Sequence, residues 1–197
     1  MRDAALTLFV CGDVMLGRGV DQILRYPGDP TLYEHVVQDA RSYVDLAVRA
    51  NGPIPQPVDW SWPWGDAVEL LAYAGCDVRV INLETSITTS DYYVRGKAVH
   101  YRMNPANVEA VSAIRPDVCV LANNHVLDFG EAGLIETLDT LAVSGLQTAG
   151  AGRTLSEAMS PVNSRSRLNS SLVIALLMSA RSPLRTSSST RPLARSA

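Results

Sequence analysis

The stretch that most constrains this chain is Val118 to Gly130, Val-Cys-Val-Leu-Ala-Asn-Asn-His-Val-Leu-Asp-Phe-Gly. Its first five residues, Val118 to Ala122, form a short apolar run rich in β-branched side chains, as suits a strand buried on both faces. Asn123, Asn124 and His125 follow at once, and in open α/β sheets the carboxyl ends of the strands are where ligands and metals are held. Asp128 and Gly130 then lead into Leu134, Ile135, Leu138 and Leu141, spaced as an amphipathic helix. The unit is strand, polar loop, helix. Two readings of the loop compete: amides that cap a turn beside a hydrogen-bonded histidine, or amide oxygens and an imidazole offered to a ligand.

The rest of the chain repeats this order. Leu6 to Cys11 predicts a first strand ended by Gly12-Asp13, followed by a glycine-flanked loop, Val14 to Gly19, and a short helix. Leu32 to Ala50 predicts a helix. Asn51 to Trp64 reads as an extended surface loop, either part of a binding rim or, the favoured reading, one whose Trp60, Trp62 and Trp64 pack it onto the sheet. A short helix, Asp66 to Ala74, stops at Gly75, and Asp77 to Leu83 predicts a second buried strand finishing in Asn82-Leu83-Glu84-Thr85. Between Asp91 and Pro105 a polar stretch carries Lys97, His100, Tyr101 and Arg102, either a solvated face or cations for an anionic substrate. Val108 to Ile114 predicts a helix, Gln147 to Ala149 a further strand, and Leu155 to Met159 the start of another helix. The alternation is that of an α/β fold with a largely parallel sheet.

Charge is unevenly placed. All 20 Asp and Glu lie at or before Glu157, with 11 of the Lys and Arg, so the body is −9 and the remaining six arginines make the tail +6. An acidic body excludes a nucleic-acid surface there, since phosphate backbones need clustered Lys and Arg; it suits a site that attracts cations. Cys11, Cys76 and Cys119 lack Cys-x-x-Cys spacing and sit in or beside apolar runs, so free buried thiols are expected. No signal peptide or anchor is visible, and Leu172 to Met178 is too short to span a bilayer. There is thus no transmembrane segment in this chain, and the product as written is expected in the cytoplasm.

Beyond Val162 the composition turns to Ser, Arg, Leu, Thr and Ala, without acids or glycine. Residues 1–162 therefore read as one domain, truncated, and residues 163–197 as a Ser/Arg-rich tail. The tail is either disordered or an out-of-frame translation, the latter favoured because the domain stops in mid-architecture.

Asp13, Glu84 and the Asn124–His125 pair come from three strand ends. Carboxylate oxygen, amide oxygen and imidazole nitrogen together suit a divalent metal such as Mn, Mg, Fe or Zn, one or two ions. Such an ion polarises a phosphoryl or carbonyl oxygen.

The motifs Gly12-Asp13-Val14-Met15-Leu16-Gly17-Arg18, Asn82-Leu83-Glu84-Thr85, Ala122-Asn123-Asn124-His125-Val126-Leu127-Asp128-Phe129-Gly130 and Ala149-Gly150-Ala151-Gly152 resemble, in order and spacing, the CapA family of poly-gamma-glutamate capsule synthesis proteins. That family is similar to the calcineurin-like metallophosphoesterases. The resemblance implies a four-layer sandwich, helices flanking two β-sheets, of which this chain holds the N-terminal portion only. It also implies metal-ligand roles for Asp13, Glu84, Asn124 and His125, and catalytic roles for His125 and Asp128. The partners it implies are the capsule or poly-gamma-glutamate synthesis machinery, and family members often stand at the cell surface. The chain departs from the phosphoesterase pattern at Met15, where a histidine would follow Asp13 by two, and no histidine follows His125. The leading expectation is a CapA-like protein of capsule biosynthesis with a metal-dependent, phosphoesterase-type hydrolase site. The alternatives are a non-catalytic assembly or export factor of the same fold, or an inactive truncated fragment.

Overall fold

A computed structural model describes residues 6–165 and 171–174. Its centre is a four-stranded parallel sheet in the order β1 (Leu8–Val14), β2 (Val78–Leu83), β5 (Val118–Val120), β6 (Gln147–Ala149). Each strand lies beside the next in sequence along the sheet, so their carboxyl ends share one edge. Between β1 and β2 run the helices α1 (Arg18–Ile23), α2 (Arg41–Asn51) and α3 (Ala67–Ala74). Between β2 and β5 come a two-stranded parallel ribbon, β3 (Ser86–Ile87) with β4 (Arg102–Met103), and α4 (Glu109–Ser112). Then follow α5 (Gly130–Val143), α6 (Leu155–Ala158) and the antiparallel pair β7 (Val162–Arg165) and β8 (Ser171–Ile174). The boundary drawn after residue 162 falls within β7; residues 166–170 and 175–197 of the tail lie outside the described residues.

The register fixes which side chains share a face. Leu8 pairs with Val78 and Val10 with Val80, which pairs in turn with Val118, while Cys11, Ile81 and Cys119 align on the other face. That second face holds the main core: Ile81, Leu83, Cys119 and Leu121 are fully buried with Val111 of α4 and Leu141 of α5. Each such side chain contributes roughly 1.5 to 3 kcal/mol by leaving water. On the first face Val118 is fully buried, but Leu8 is 50% and Val10 71% exposed. The edge strand β1 therefore shows apolar surface.

Three elements differ from the sequence reading. The helix expected over 32–50 begins only at Arg41. Ahead of it Thr31 bridges to Asp39, Leu32 N–H donates to the Gln38 carbonyl, and the Asp39 carboxylate takes the Arg41 N–H at 2.9 Å. An aspartate that bonds the backbone two residues on favours a turn over a continued helix. The helix expected over 108–114 is reduced to the four-residue α4, with a separate 3-10 turn at Pro105–Asn107 ahead of it. The first strand extends past Asp13 to Val14, because the chain bulges rather than ends: Gly12 and Asp13 stand opposite the single residue Asn82. The tryptophan loop packs as expected for Trp64, whose indole donates to the Ala110 carbonyl at 2.6 Å; Trp62 is 45% exposed.

Candidate functional site

Bulges re-aim side chains, and this one places Asp13 at φ 48°, in the left-handed region that a non-glycine residue adopts only at a cost. One oxygen of Asp13 accepts from the Asn82 amide at 3.0 Å; Asn82 in turn accepts from Asn123, 3.1 Å away. Asn123 also donates to the Leu83 carbonyl at 2.9 Å and accepts from the His125 N–H at 3.0 Å. A ladder of amides thus ties the ends of β1, β2 and β5 together. Gly150, at φ 81°, completes the edge: a Cβ there would lie 2.4 Å from that of Ala122, so the glycine motif after β6 lies directly against the residue that precedes the Asn-Asn-His loop.

On this edge Glu84 stands between Asp13 and His125. Burial, then the Asp13 carboxylate beside it, pushes the Glu84 carboxyl above its ordinary value, and His125 opposes the shift. The His125 Nε2 is 3.8 Å from a Glu84 oxygen. The other ring nitrogen, Nδ1, meets an oxygen of Asp128 at 2.7 Å, and the ring stacks on Tyr101 with centroids 4.0 Å apart. Only 7% of His125 is exposed. It is a packed side chain of the site rather than a residue on a mobile loop.

Asp128 is wholly buried, and its charge is met on every side: by His125, by the Tyr101 N–H at 2.7 Å and by the Lys97 ammonium, which also bonds the Asn124 carbonyl. A buried carboxylate persists where such partners replace water. Asp128 faces the site only through its bond to His125 Nδ1. Asn124, by contrast, is exposed and touches the site through its backbone carbonyl; among the described residues its amide has no recorded partner. The structure thus brings Asp13, Glu84, His125 and Asp128 to one edge, with Asn124 at the rim. The sequence offers Lys97 and Tyr101 as a solvated face or as groups for an anionic substrate, and Asn82 and Asn123 only as members of motifs; the contacts of Lys97 with Asp128, of Tyr101 with His125 and of Asn82 with Asp13 join residues 31, 24 and 69 positions apart, a distance local patterns do not cross. Burial pushes the Cys119 thiol on β5 up to about 12, which keeps that sulfur from acting as a thiolate.

Among the described residues no group of three or more His, Cys, Asp or Glu side chains is arranged to hold a metal ion. The fit is confined to the Asp13–Glu84 pair, whose mutual repulsion a cation relieves as a proton does. Two carboxylates suit a hard ion that keeps several waters, not a closed protein cage. Two ions would need more ligands than these residues offer.

The chain belongs to the family described as bacterial capsule synthesis protein PGA_cap, whose profile matches residues 7–195. It is 55% identical over 150 residues to a Mycobacterium tuberculosis protein named "Probable polyglutamine synthesis accessory protein", covering 76% of this chain and 40% of that one. It is 25% identical over 162 residues to the PGA biosynthesis protein CapA of Bacillus subtilis, covering 82% of this chain and 34% of that protein. The capsule biosynthesis protein CapA of Bacillus anthracis is 26% identical over 147 residues. The chain spans about two fifths or less of the length of these curated relatives. No helix among the described residues is long and apolar enough to cross a membrane.

Proposed function

We propose that this chain carries the chemical centre of a capsule-polymer synthesis protein: an acid–base site, assisted by one divalent cation of the Mn, Mg, Fe or Zn type, that hydrolyses a phosphoester or amide bond. The observation that supports it is the Glu84 carboxyl held between a second carboxylate and the Nε2 of a buried, Asp-oriented histidine. Asp13 and Glu84 would hold the ion, with Asn124 and His125 at its flank. Bound there, it would supply Lewis acidity toward a phosphoryl or carbonyl oxygen.

The chain's own groups do the rest. With Nδ1–H donated to Asp128, His125 presents the lone pair of Nε2 to the pocket, where it takes a proton from the attacking water and returns it to the leaving group. Tyr101 holds the ring plane, and Lys97 holds Asp128 in place. The amide ladder from Asn123 through Asn82 fixes Asp13.

The four-layer sandwich belongs to the same proposal. The exposed Leu8 and Val10 leave one face of the sheet open at β1, where a second sheet would pack. The word "accessory" in the relative's name supports work beside a polymer synthase. Met15 in place of a nitrogen ligand favours a second reading, a non-catalytic assembly or export factor that keeps the ion for shape.

The test is hydrolysis of p-nitrophenyl phosphate and of γ-glutamyl p-nitroanilide with Mn²⁺ or with EDTA. The proposal expects slow, EDTA-sensitive turnover that falls about a hundredfold in His125→Ala, the usual scale for loss of a general base. Turnover that ignores both EDTA and His125→Ala removes it; ion binding without turnover leaves the second reading.

A further inference from the structure

The loop that carries Asp13 meets the site a second time. At its far end Arg18 also stands in the left-handed region, at φ 52°, a conformation that a residue with a Cβ holds only at a cost. Gly17, just before it, brings the loop against β4: a Cβ there would lie 2.4 Å from the Arg102 carbonyl oxygen, so glycine is what lets Arg18 come up beside Tyr101.

Three residues enclose the Arg18 guanidinium. It pairs with Glu34 at 2.8 Å, donates to the Tyr43 hydroxyl, and lies over two aromatic rings, 4.3 Å from the centre of Tyr43 and 5.6 Å from that of Tyr101. The side chains of Arg18 and Glu34 are only 16% and 12% exposed. Arg18 is therefore no cation held ready for a substrate, since its charge is already met. As a stabilising device the pair is poor. The Arg18 Nε and the second Glu34 oxygen are buried without hydrogen-bond partners among the described residues, and a mostly buried ion pair with unmatched atoms gains little over apolar packing. A strained backbone and an unmatched ion pair at one residue point to a role in placing something else.

What Arg18 covers supplies that role. The Tyr101 ring stacks on His125 with centroids 4.0 Å apart, and the Tyr101 N–H holds the Asp128 that orients the same histidine. A cation over an aromatic ring is attracted to its face, and a guanidinium, planar and always charged, stacks where an ammonium does not. Arg18, Tyr101 and His125 thus form one column. It runs from a paired cation to the imidazole whose Nε2 stands 3.8 Å from Glu84.

We propose that Arg18 is a positioning residue of the site: anchored by Glu34 and Tyr43, its guanidinium fixes the Tyr101 ring against His125 and so aims Nε2 at the Asp13–Glu84 pair. This rests on the hydrolase reading for its effect on turnover, but not for its effect on the histidine ring.

The test reads both. The chain has three histidines, His35, His100 and His125, so histidine-selective NMR labelling resolves the ring in question, assigned with His125→Gln. At pH 8 the ring current of Tyr101 moves the carbon-bound protons of His125 upfield, and Tyr101→Leu, which abolishes that current, gives the reference position. Arg18→Ala should carry these protons most of the way to the reference, and Arg18→Lys, which keeps the charge without the planar face, part of the way. With p-nitrophenyl phosphate and Mn²⁺, Arg18→Ala should lower kcat about tenfold or more at unchanged KM, the pattern of a displaced base and not of a lost substrate contact. His125 protons that keep the parent position in both Arg18 variants overturn the proposal, whatever the turnover. A raised KM at unchanged kcat overturns it too, by making Arg18 a substrate contact. If Arg18→Ala does not fold, Arg18→Lys carries the same two readings. A parent chain without turnover strikes the hydrolase reading, and the ring shift then decides the role of Arg18 alone.

Discussion

Glu84 carries the tension of the site. Its folded-state value is raised by burial and by Asp13, so the folded protein holds this proton more tightly than the unfolded chain. The stability Glu84 contributes is therefore fully present below its unfolded value, near the ordinary 4.5, and is lost as pH rises through the folded one. Glu84→Gln keeps the shape and removes the titration. Urea unfolding at pH 5 and pH 8 should show the variant gaining stability over the parent chain at pH 8 and little at pH 5. An equal effect at both pH values would mean that folding does not raise the Glu84 carboxyl. Saturating Mn²⁺ should narrow the difference, because the ion takes the proton's place.

His125→Ala belongs to the same scale and does more than remove a base. The imidazole is 7% exposed and supplies one of the three partners of the buried Asp128. Its loss leaves a buried carboxylate oxygen short of a donor, a cost of about 1 to 3 kcal/mol. Chemical denaturation should read that loss, and an unchanged midpoint would show that water replaces the ring without penalty. The sequence places His125 on a polar loop, either hydrogen-bonded or offered to a ligand. The Tyr101 stack and the Lys97–Asp128 pair, 24 and 31 residues away, are what make it structural as well.

At the level of elements, the strand ends are the legible part. Asp13, Glu84 and His125 each follow an apolar run, and three such runs adjacent in one parallel sheet bring their ends to one edge. The helix lengths were less legible. Over 32–40 the apolar spacing fits a helix, yet Asp39 bonding ahead to Arg41, and Tyr33 turned out to stack on Tyr93, hold the segment irregular. The bulge at Gly12–Asp13 was likewise hidden, because its cause is the register with β2 and not the composition of β1. A further element-scale feature is Asp21 on α1, 3% exposed, which accepts from the Gly28 N–H at 2.8 Å, the Asn104 N–H at 3.0 Å and the Asn107 amide at 2.7 Å. It ties α1 to the turn before α4. Asp21→Ala strands three donors, and at about 1 to 3 kcal/mol each for those that water does not reach it should cost more stability than Leu141→Ala, at about 2 to 5 kcal/mol, or at least match it. Paired denaturation curves decide this; a loss below 1 kcal/mol would show the donors repaired by solvent.

For the whole molecule, the question is what the open face of the sheet does. Leu8 and Val10 are half or more exposed on the edge strand, with Val80 beside them. Apolar strand surface at an unpaired edge favours association. Replacing both with threonine keeps the β preference and should raise the monomer fraction in size-exclusion chromatography without moving the unfolding midpoint by more than about 1 kcal/mol. An unchanged elution profile would mean that the face is covered in this chain. The family assignment and the α/β class stand on the motifs, the parallel sheet and the profile match together.

The measurement closest to the central claim is a Mn²⁺ titration of the parent chain, Asp13→Asn and Glu84→Gln, with free ion followed by electron paramagnetic resonance. Asparagine tolerates the left-handed backbone at position 13 better than other replacements, so the variant tests charge rather than folding. If Asp13 and Glu84 form one cation-holding centre, the parent chain binds one Mn²⁺ and each variant binds it at least about tenfold more weakly. A parent chain that binds none, or variants that bind as tightly as the parent, would contradict the account.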